Sequence, residues 1–152
     1  MKQFDDLYRE YYESVYRLAF RFLRNHENAC DISQDVFIEL HRSMTRKNEI
    51  RSVKSWLLKV TSNLCLSFLK KNNRNREYKS TKQFDNEQEI QDNSFVFEAI
   101  QKLDAKDQML LTLYNEELSY KELAEIAGIK YTSVGKTLSR ALNRLKDELE
   151  KK

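Results

Sequence analysis

The sequence contains no proline and only two glycines, Gly128 and Gly135. Sheets joined by tight hairpins depend on such turn residues, so a β-rich fold is excluded and an all-α fold is expected. Cysteine is equally scarce: Cys30 and Cys65 stand apart, with no CxxC pair and no Cys/His cluster. That argues against a zinc site and reads as two reduced thiols in a cytosolic protein. The two histidines, His26 and His41, have no partner at metal spacing and read as solvated. Long apolar runs are missing too, and the opening MKQFDDLYRE is too polar for a signal peptide. No metal, cofactor or membrane insertion is therefore expected.

What the chain does have is unevenly distributed charge. The net charge of +3 conceals a block at residues 41–82 with 12 Lys+Arg against 2 Asp+Glu. Residues 83–118 reverse this with 2 against 9, and residues 119–152 return to 8 against 5. Aromatic and apolar residues are interleaved with the basic block, which favours contact with a polyanion over a merely solvated face.

Periodicity divides the chain. Phe4, Leu7, Tyr8, Tyr11, Val15, Leu18, Ala19 and Phe22 fall at helical spacing. A second helix is predicted over about Glu27–Met44, with Ala29, Ile32, Val36, Leu40 and Met44 inward. Asp31, Gln34, Asp35, Glu39 and Arg42 occupy its other faces. Thr45–Arg51 reads as a basic loop. Ser52 then caps a third helix, whose core stripe is read as Val53, Trp56, Leu57, Val60, Leu64 and Phe68. Residues 72–92 are polar and swing from basic to acidic, the composition of a flexible linker. Their basic front is compatible with a longer third helix. Two small helical domains are thus expected, at 1–71 and 93–152.

The second domain carries a sharper signal. Periodicity returns at Phe95, Ala99, Ile100 and Leu103, and Asp104 caps a helix with Met109, Leu110, Leu113 and Tyr114. Ser119-Tyr120-Lys121-Glu122 has the form of a capping box, and Gly128 suits the left-handed turn that ends a short helix. Ala124, Gly128 and Val134 have the spacing of a helix-turn-helix. The last helix would bury Val134, Leu138, Ala141, Leu145 and Leu149. Its exposed side would carry Lys130, Thr132, Ser133, Lys136, Ser139, Arg140 and Arg144. Hydroxyls there suit phosphates, while Lys136 and Arg140 can reach base edges in the major groove.

Two further segments now carry a resemblance. Asp31-Ile32-Ser33-Gln34-Asp35-Val36-Phe37 is similar to the D-x-x-Q-[ED]-[VA]-F segment of region 2 in extracytoplasmic-function sigma factors. Ser55-Trp56-Leu57-Leu58-Lys59-Val60-Thr61-Ser62-Asn63-Leu64 resembles the W-L-x-x-[IV]-x-x-N-x-[AL] segment of the same region. Ala99 through Leu145, including Ser139-Arg140-Ala141-Leu142, resembles region 4. The order of the segments, split by a polar linker, is more specific than any one of them.

The resemblance implies a transcription initiation factor without catalytic residues. Its polymerase-binding surface would be Asp31, Gln34, Asp35, Phe37 and Glu39, against the beta-prime coiled coil. Lys47, Lys54, Trp56, Val60, Thr61 and Asn63 would melt the minus-10 element and capture a flipped base. Lys136, Ser139 and Arg140 would read the minus-35 element, with Lys130, Thr132, Ser133 and Arg144 beside them. The implied partners are core RNA polymerase (beta-prime coiled coil and beta flap), promoter DNA and an anti-sigma factor. Two positions depart from the pattern: Ser67, where the family often has Asp or Asn, and Gly135, where it often has Arg. Gly135 points to weaker minus-35 reading and to a separate DNA-bound recruiter. The alternatives are a helix-turn-helix repressor or activator, an enzyme with Asp31, Asp35 and Glu39 as metal ligands, and an adaptor that binds no DNA. The basic block beside Trp56 argues against the regulator, and the lack of a converging His or second carboxylate cluster argues against the enzyme.

Overall fold

The computed structural model describes residues 3–79 and 94–151. Among them there is no strand. The helices are α1 (Phe4–Leu23), α2 (His26–Thr45), α3 (Val53–Lys79), α4 (Ser94–Gln101), α5 (Ala105–Leu113), α6 (Tyr120–Ala127) and α7 (Val134–Leu149). Short 3-10 turns precede α6 (Tyr114–Glu116) and α7 (Tyr131–Ser133). Contacts divide the chain into two compact units, at residues 1–74 and 75–152. Helix α3 runs past the expected boundary at residue 71 to Lys79. The expected linker residues 80–92 lie outside the described residues.

In the first unit, Arg24 ends α1 in the left-handed conformation (φ 52°), its N–H donating to the Phe20 carbonyl. Asn25 then caps α2, accepting from the Asn28 N–H at 2.8 Å. This tight link folds α1 and α2 into a hairpin whose core includes Val15, Leu18, Ala19, Ala29, Val36 and Leu40. Phe4, Tyr8, Tyr12, Tyr16 and Phe20 form a ladder of rings spaced four residues apart along α1.

Helix α3 buries a different face from the expected one. Leu57, Leu58, Thr61, Ser62 and Cys65 are buried, whereas Val53, Trp56, Val60, Leu64 and Phe68 are only half-buried. The hydroxyls explain the difference. Thr61 Oγ1 donates to the Leu57 carbonyl at 2.7 Å, and Ser62 Oγ to the Leu58 carbonyl at 2.9 Å. Satisfied one turn back along the same helix, they can enter the interior at little cost. Ser33 does the same in α2, donating to the Ala29 carbonyl at 2.8 Å.

In the second unit α7 packs on α4, α5 and α6, over a core that includes Leu110, Leu113, Leu123, Ile126, Val134 and Leu138. Asp104 caps α5 through the Asp107 N–H at 2.9 Å. The capping box opens α6: the Ser119 hydroxyl accepts from the Glu122 N–H at 3.1 Å, and Glu122 accepts from the Ser119 N–H at 2.9 Å. Gly128 closes α6 at φ 71°. That region of backbone is nearly free of cost only for glycine.

Candidate functional site

The first unit presents two surfaces. On α2, Asp31, Gln34 and Asp35 are exposed, and half-buried Glu39 pairs with Arg42 at 3.0 Å. Phe37, expected at this surface, is 2 % exposed and sits against Tyr8, Tyr12 and Phe4 of α1 with ring centroids 4.8, 6.1 and 6.4 Å away. It belongs to the core of the hairpin. The apolar residue that α2 does expose is its neighbour Ile38, at 49 %. Ile38 borders an open groove of about 470 Å³, which Phe4, Tyr8, Gln34, His41 and Arg42 also line and whose floor Phe37 reaches from the core. A carboxylate row beside an apolar groove suits a basic helical partner.

The second surface runs from the α2–α3 loop onto α3. Lys47 is exposed in a left-handed turn (φ 61°), its N–H donating to the Met44 carbonyl at 3.0 Å. Half-buried Trp56 and Val60 and exposed Asn63 fall on one face of α3, with exposed Lys59 at its edge and half-buried Lys54 near its start. Thr61 is fully buried with its hydroxyl used internally, so it has no place among the DNA-contacting residues. A half-open aromatic and apolar wall next to an amide can hold an unstacked base and hydrogen-bond its edge.

In the second unit, Lys136, Ser139 and Arg140 lie exposed on the outward side of α7, with Lys130 and Thr132 exposed and Ser133 half-buried before it. Arg144 does not share their freedom. Its Nε donates to Asp107 Oδ2 at 2.7 Å and its Nη2 to Oδ1 at 3.1 Å, a bidentate pair that ties α7 to α5. Asp107 is 2 % exposed, and its hydrogen bond raises the Arg144 pKa. Arg144 braces the helix-turn-helix from the side and is removed from the expected DNA contacts. Sequence reasoning gave no surface role to two exposed tyrosines, Tyr120 at the start of α6 and Tyr131 just before α7. Among the described residues no cluster of His, Cys, Asp and Glu could hold a metal ion.

Comparison with known proteins places both units. The sigma-70 region 2 model matches residues 7–75 and the sigma-70 region 4 model matches residues 96–145. The ECF RNA polymerase sigma factor SigE of Mycolicibacterium smegmatis is 28 % identical over 99 % of this chain and 63 % of its own length. The chain belongs to the extracytoplasmic-function sigma factors of the sigma-70 family. The RNA polymerase sigma factor YlaC of Bacillus subtilis is 26 % identical over 97 % of this sigma factor and 92 % of its own length. The fold is shared with solved structures. RpoE from Bartonella quintana, in complex with the anti-sigma factor NepR, has a TM-score of 0.67 at 21 % identity over 99 % of both chains. CnrH, in complex with the cytosolic domain of CnrY, has a TM-score of 0.68 at 18 % identity over 97 % of this chain and 87 % of its own. Helices α1–α3 therefore carry region 2, and α4–α7 lie in and around region 4.

Proposed function

We propose that this sigma factor divides promoter work between its two units by binding alone, without a covalent step, on the cytoplasmic polymerase. Asp31, Gln34, Asp35, Ile38 and Glu39 dock on the basic coiled coil of the beta-prime subunit. Lys47, Lys54, Trp56, Val60 and Asn63 separate the minus-10 strands and hold a flipped base. Lys130, Thr132, Ser133, Lys136, Ser139 and Arg140 place the second unit on the minus-35 duplex. An anti-sigma protein, the partner of RpoE in one solved neighbour's complex, is a further candidate partner. The observation that carries this reading is the sequence of a region 2 match and a region 4 match within one chain. A repressor built on the same helix-turn-helix has no use for the first.

The test separates the two activities. Asp35→Arg is expected to weaken binding to core polymerase at least tenfold, in a competition assay against another sigma factor, and to leave duplex binding unchanged. Arg140→Ala is expected to weaken duplex binding by roughly 5- to 100-fold, the range for loss of one base-reading contact, and to leave polymerase binding unchanged. Loss of both activities in both variants, with each still folded by circular dichroism, would refute the division.

A further inference from the structure

Cys30 is half-buried on α2 and does not stand alone there. Its Sγ lies 3.6 Å from Nε2 of His26, one helical turn earlier, within hydrogen-bonding reach for sulfur. His26 is exposed, yet its ring is held. Nδ1 pairs with the Tyr16 hydroxyl of α1 at 2.8 Å, and the two rings meet edge to face with centroids 5.7 Å apart. The tautomer in which Nδ1–H donates to the Tyr16 oxygen leaves the Nε2 lone pair facing the thiol. A nucleophile, a base within reach and a third group that orients the base are the parts of an activated thiol. Tyr12 faces the same sulfur from α1: after burial, its charge interaction and hydrogen bond with Cys30 raise the phenol's pKa.

None of these four groups has a part in the polymerase or DNA contacts proposed above. Tyr16 also lines an open groove of about 380 Å³ with Glu13, Arg17, Phe20 and Arg21. Two arginines against one glutamate suit a small reagent that bears carboxylates. The other cysteine gives the contrast: Cys65 is fully buried in α3 and closed to any reagent.

We propose that Cys30 is a site of reversible modification by small disulfides bearing carboxylates, and that the adduct weakens docking on polymerase. Cys30 passes its proton to His26 Nε2 and attacks one sulfur of the disulfide, forming a new S–S bond. The old S–S bond breaks, its electron pair leaves on the second sulfur, and that thiolate takes the proton from His26. Protein thiol and disulfide become mixed disulfide and small thiol, with no further oxidant. The adduct sits beside exposed Asp31 and one turn before exposed Gln34, and it displaces Tyr12 or Tyr16 from the rings that pack along α1. Its effect on polymerase rests on the docking role proposed for α2.

The full-length chain is treated with glutathione disulfide, freed of reagent and titrated with core polymerase in competition with another sigma factor. Peptide mapping by mass spectrometry is expected to place the glutathionyl group on Cys30 and not on Cys65. Cys30 should react at least about tenfold faster in the folded chain than in urea, and His26→Gln should remove that advantage. Tyr16→Phe is expected to slow the reaction about two- to tenfold. Looser packing would expose the thiol and speed the reaction, so slowing marks an orienting role for Tyr16. The adduct should lower polymerase affinity at least about tenfold, and dithiothreitol should restore it. Cys30→Ser should bind as the untreated wild type does, with or without the disulfide. A Cys30 that reacts no faster than in urea, or equally fast in His26→Gln, overturns the activated thiol. An adduct that leaves affinity unchanged overturns the switch; if Asp35→Arg leaves it unchanged too, the docking role of α2 falls with it.

Discussion

Helices α3 and α7 both carry surfaces proposed for DNA, and they are built in opposite ways. Helix α7 buries its apolar residues Val134, Leu138 and Ala141 and turns Lys136, Ser139 and Arg140 outward. Helix α3 leaves Trp56, Val60 and Leu64 half in solvent and fills its inner face with Leu57, Leu58, Thr61, Ser62 and Cys65. The difference matches the state of the DNA each would meet. Paired bases offer only hydrogen-bonding edges in a groove, which polar side chains read. An unpaired base offers a π-face, which needs an aromatic or apolar wall. A helix that keeps its apolar residues at the surface must build its interior from something else, and small hydroxyls bonded to their own backbone serve.

The comparison can be broken first in the hairpin that supports region 2. Phe37 is enclosed by Phe4, Tyr8 and Tyr12, so Phe37→Ala is expected to cost about 3–5 kcal/mol, the range for emptying a core aromatic site. Ile38→Ala, on the exposed side of the same helix, should change stability by less than about 1 kcal/mol and instead weaken polymerase binding. Urea denaturation together with the polymerase competition assay checks both. A Phe37→Ala protein of wild-type stability would return that ring to the docking surface.

In region 4 the corresponding brace is ionic. Asp107→Ala removes the partner of Arg144 from the α5–α7 contact and is expected to cost about 1–3 kcal/mol. The cost falls below the roughly 3–5 kcal/mol of a broken buried pair because Arg144 is 51 % exposed and can be resolvated. Since Arg144 is assigned to bracing, Arg144→Ala should lower the thermal midpoint without altering the base preferences that Arg140→Ala changes. A changed base preference with an unchanged midpoint would put Arg144 back on the DNA.

How much of this was readable in the sequence depends on how local each signal is. The capping box at Ser119–Glu122, the Asp104 cap and the turn at Gly128 are written in adjacent residues, and the structure has all three. The burial of Phe37 depends on rings from α1, and the engagement of Arg144 on an aspartate 37 positions away, so neither can be read in a window of one helix. Thr61 misleads for another reason. Periodicity counts a hydroxyl as polar, and a bond to the carbonyl four residues back makes it fit for the core. The same accounting assigned Trp56 and Val60 to the interior and left Cys65 out of it. Tyr120 and Tyr131 went unassigned because neither falls on an apolar stripe, and exposure cannot be read from a single position.

The inner face of α3 has a consequence that region 4 lacks. Both cysteines of the chain lie in region 2, and burial pushes the Cys65 thiol well above its ordinary range. Tyr12 is raised as well, first by burial and then by Cys30 and the neighbouring tyrosines. In the unfolded chain the thiol ionises near pH 8.5 and the phenol near pH 10, and the fold raises both, the thiol far more. Their contribution is therefore intact at neutral pH and is lost as pH rises above about 8.5. The Cys65 part amounts to about 1.4 kcal/mol for each pH unit until its folded pKa is reached. Denaturation midpoints of the wild type and Cys65→Ala between pH 7 and 10 separate this effect from general alkaline repulsion. The wild type should lose stability more steeply above pH 8.5, and the two curves should converge with rising pH. Parallel curves would mean that Cys65 ionises as freely in the fold as outside it, and that the inner face of α3 is open to water like its outer one.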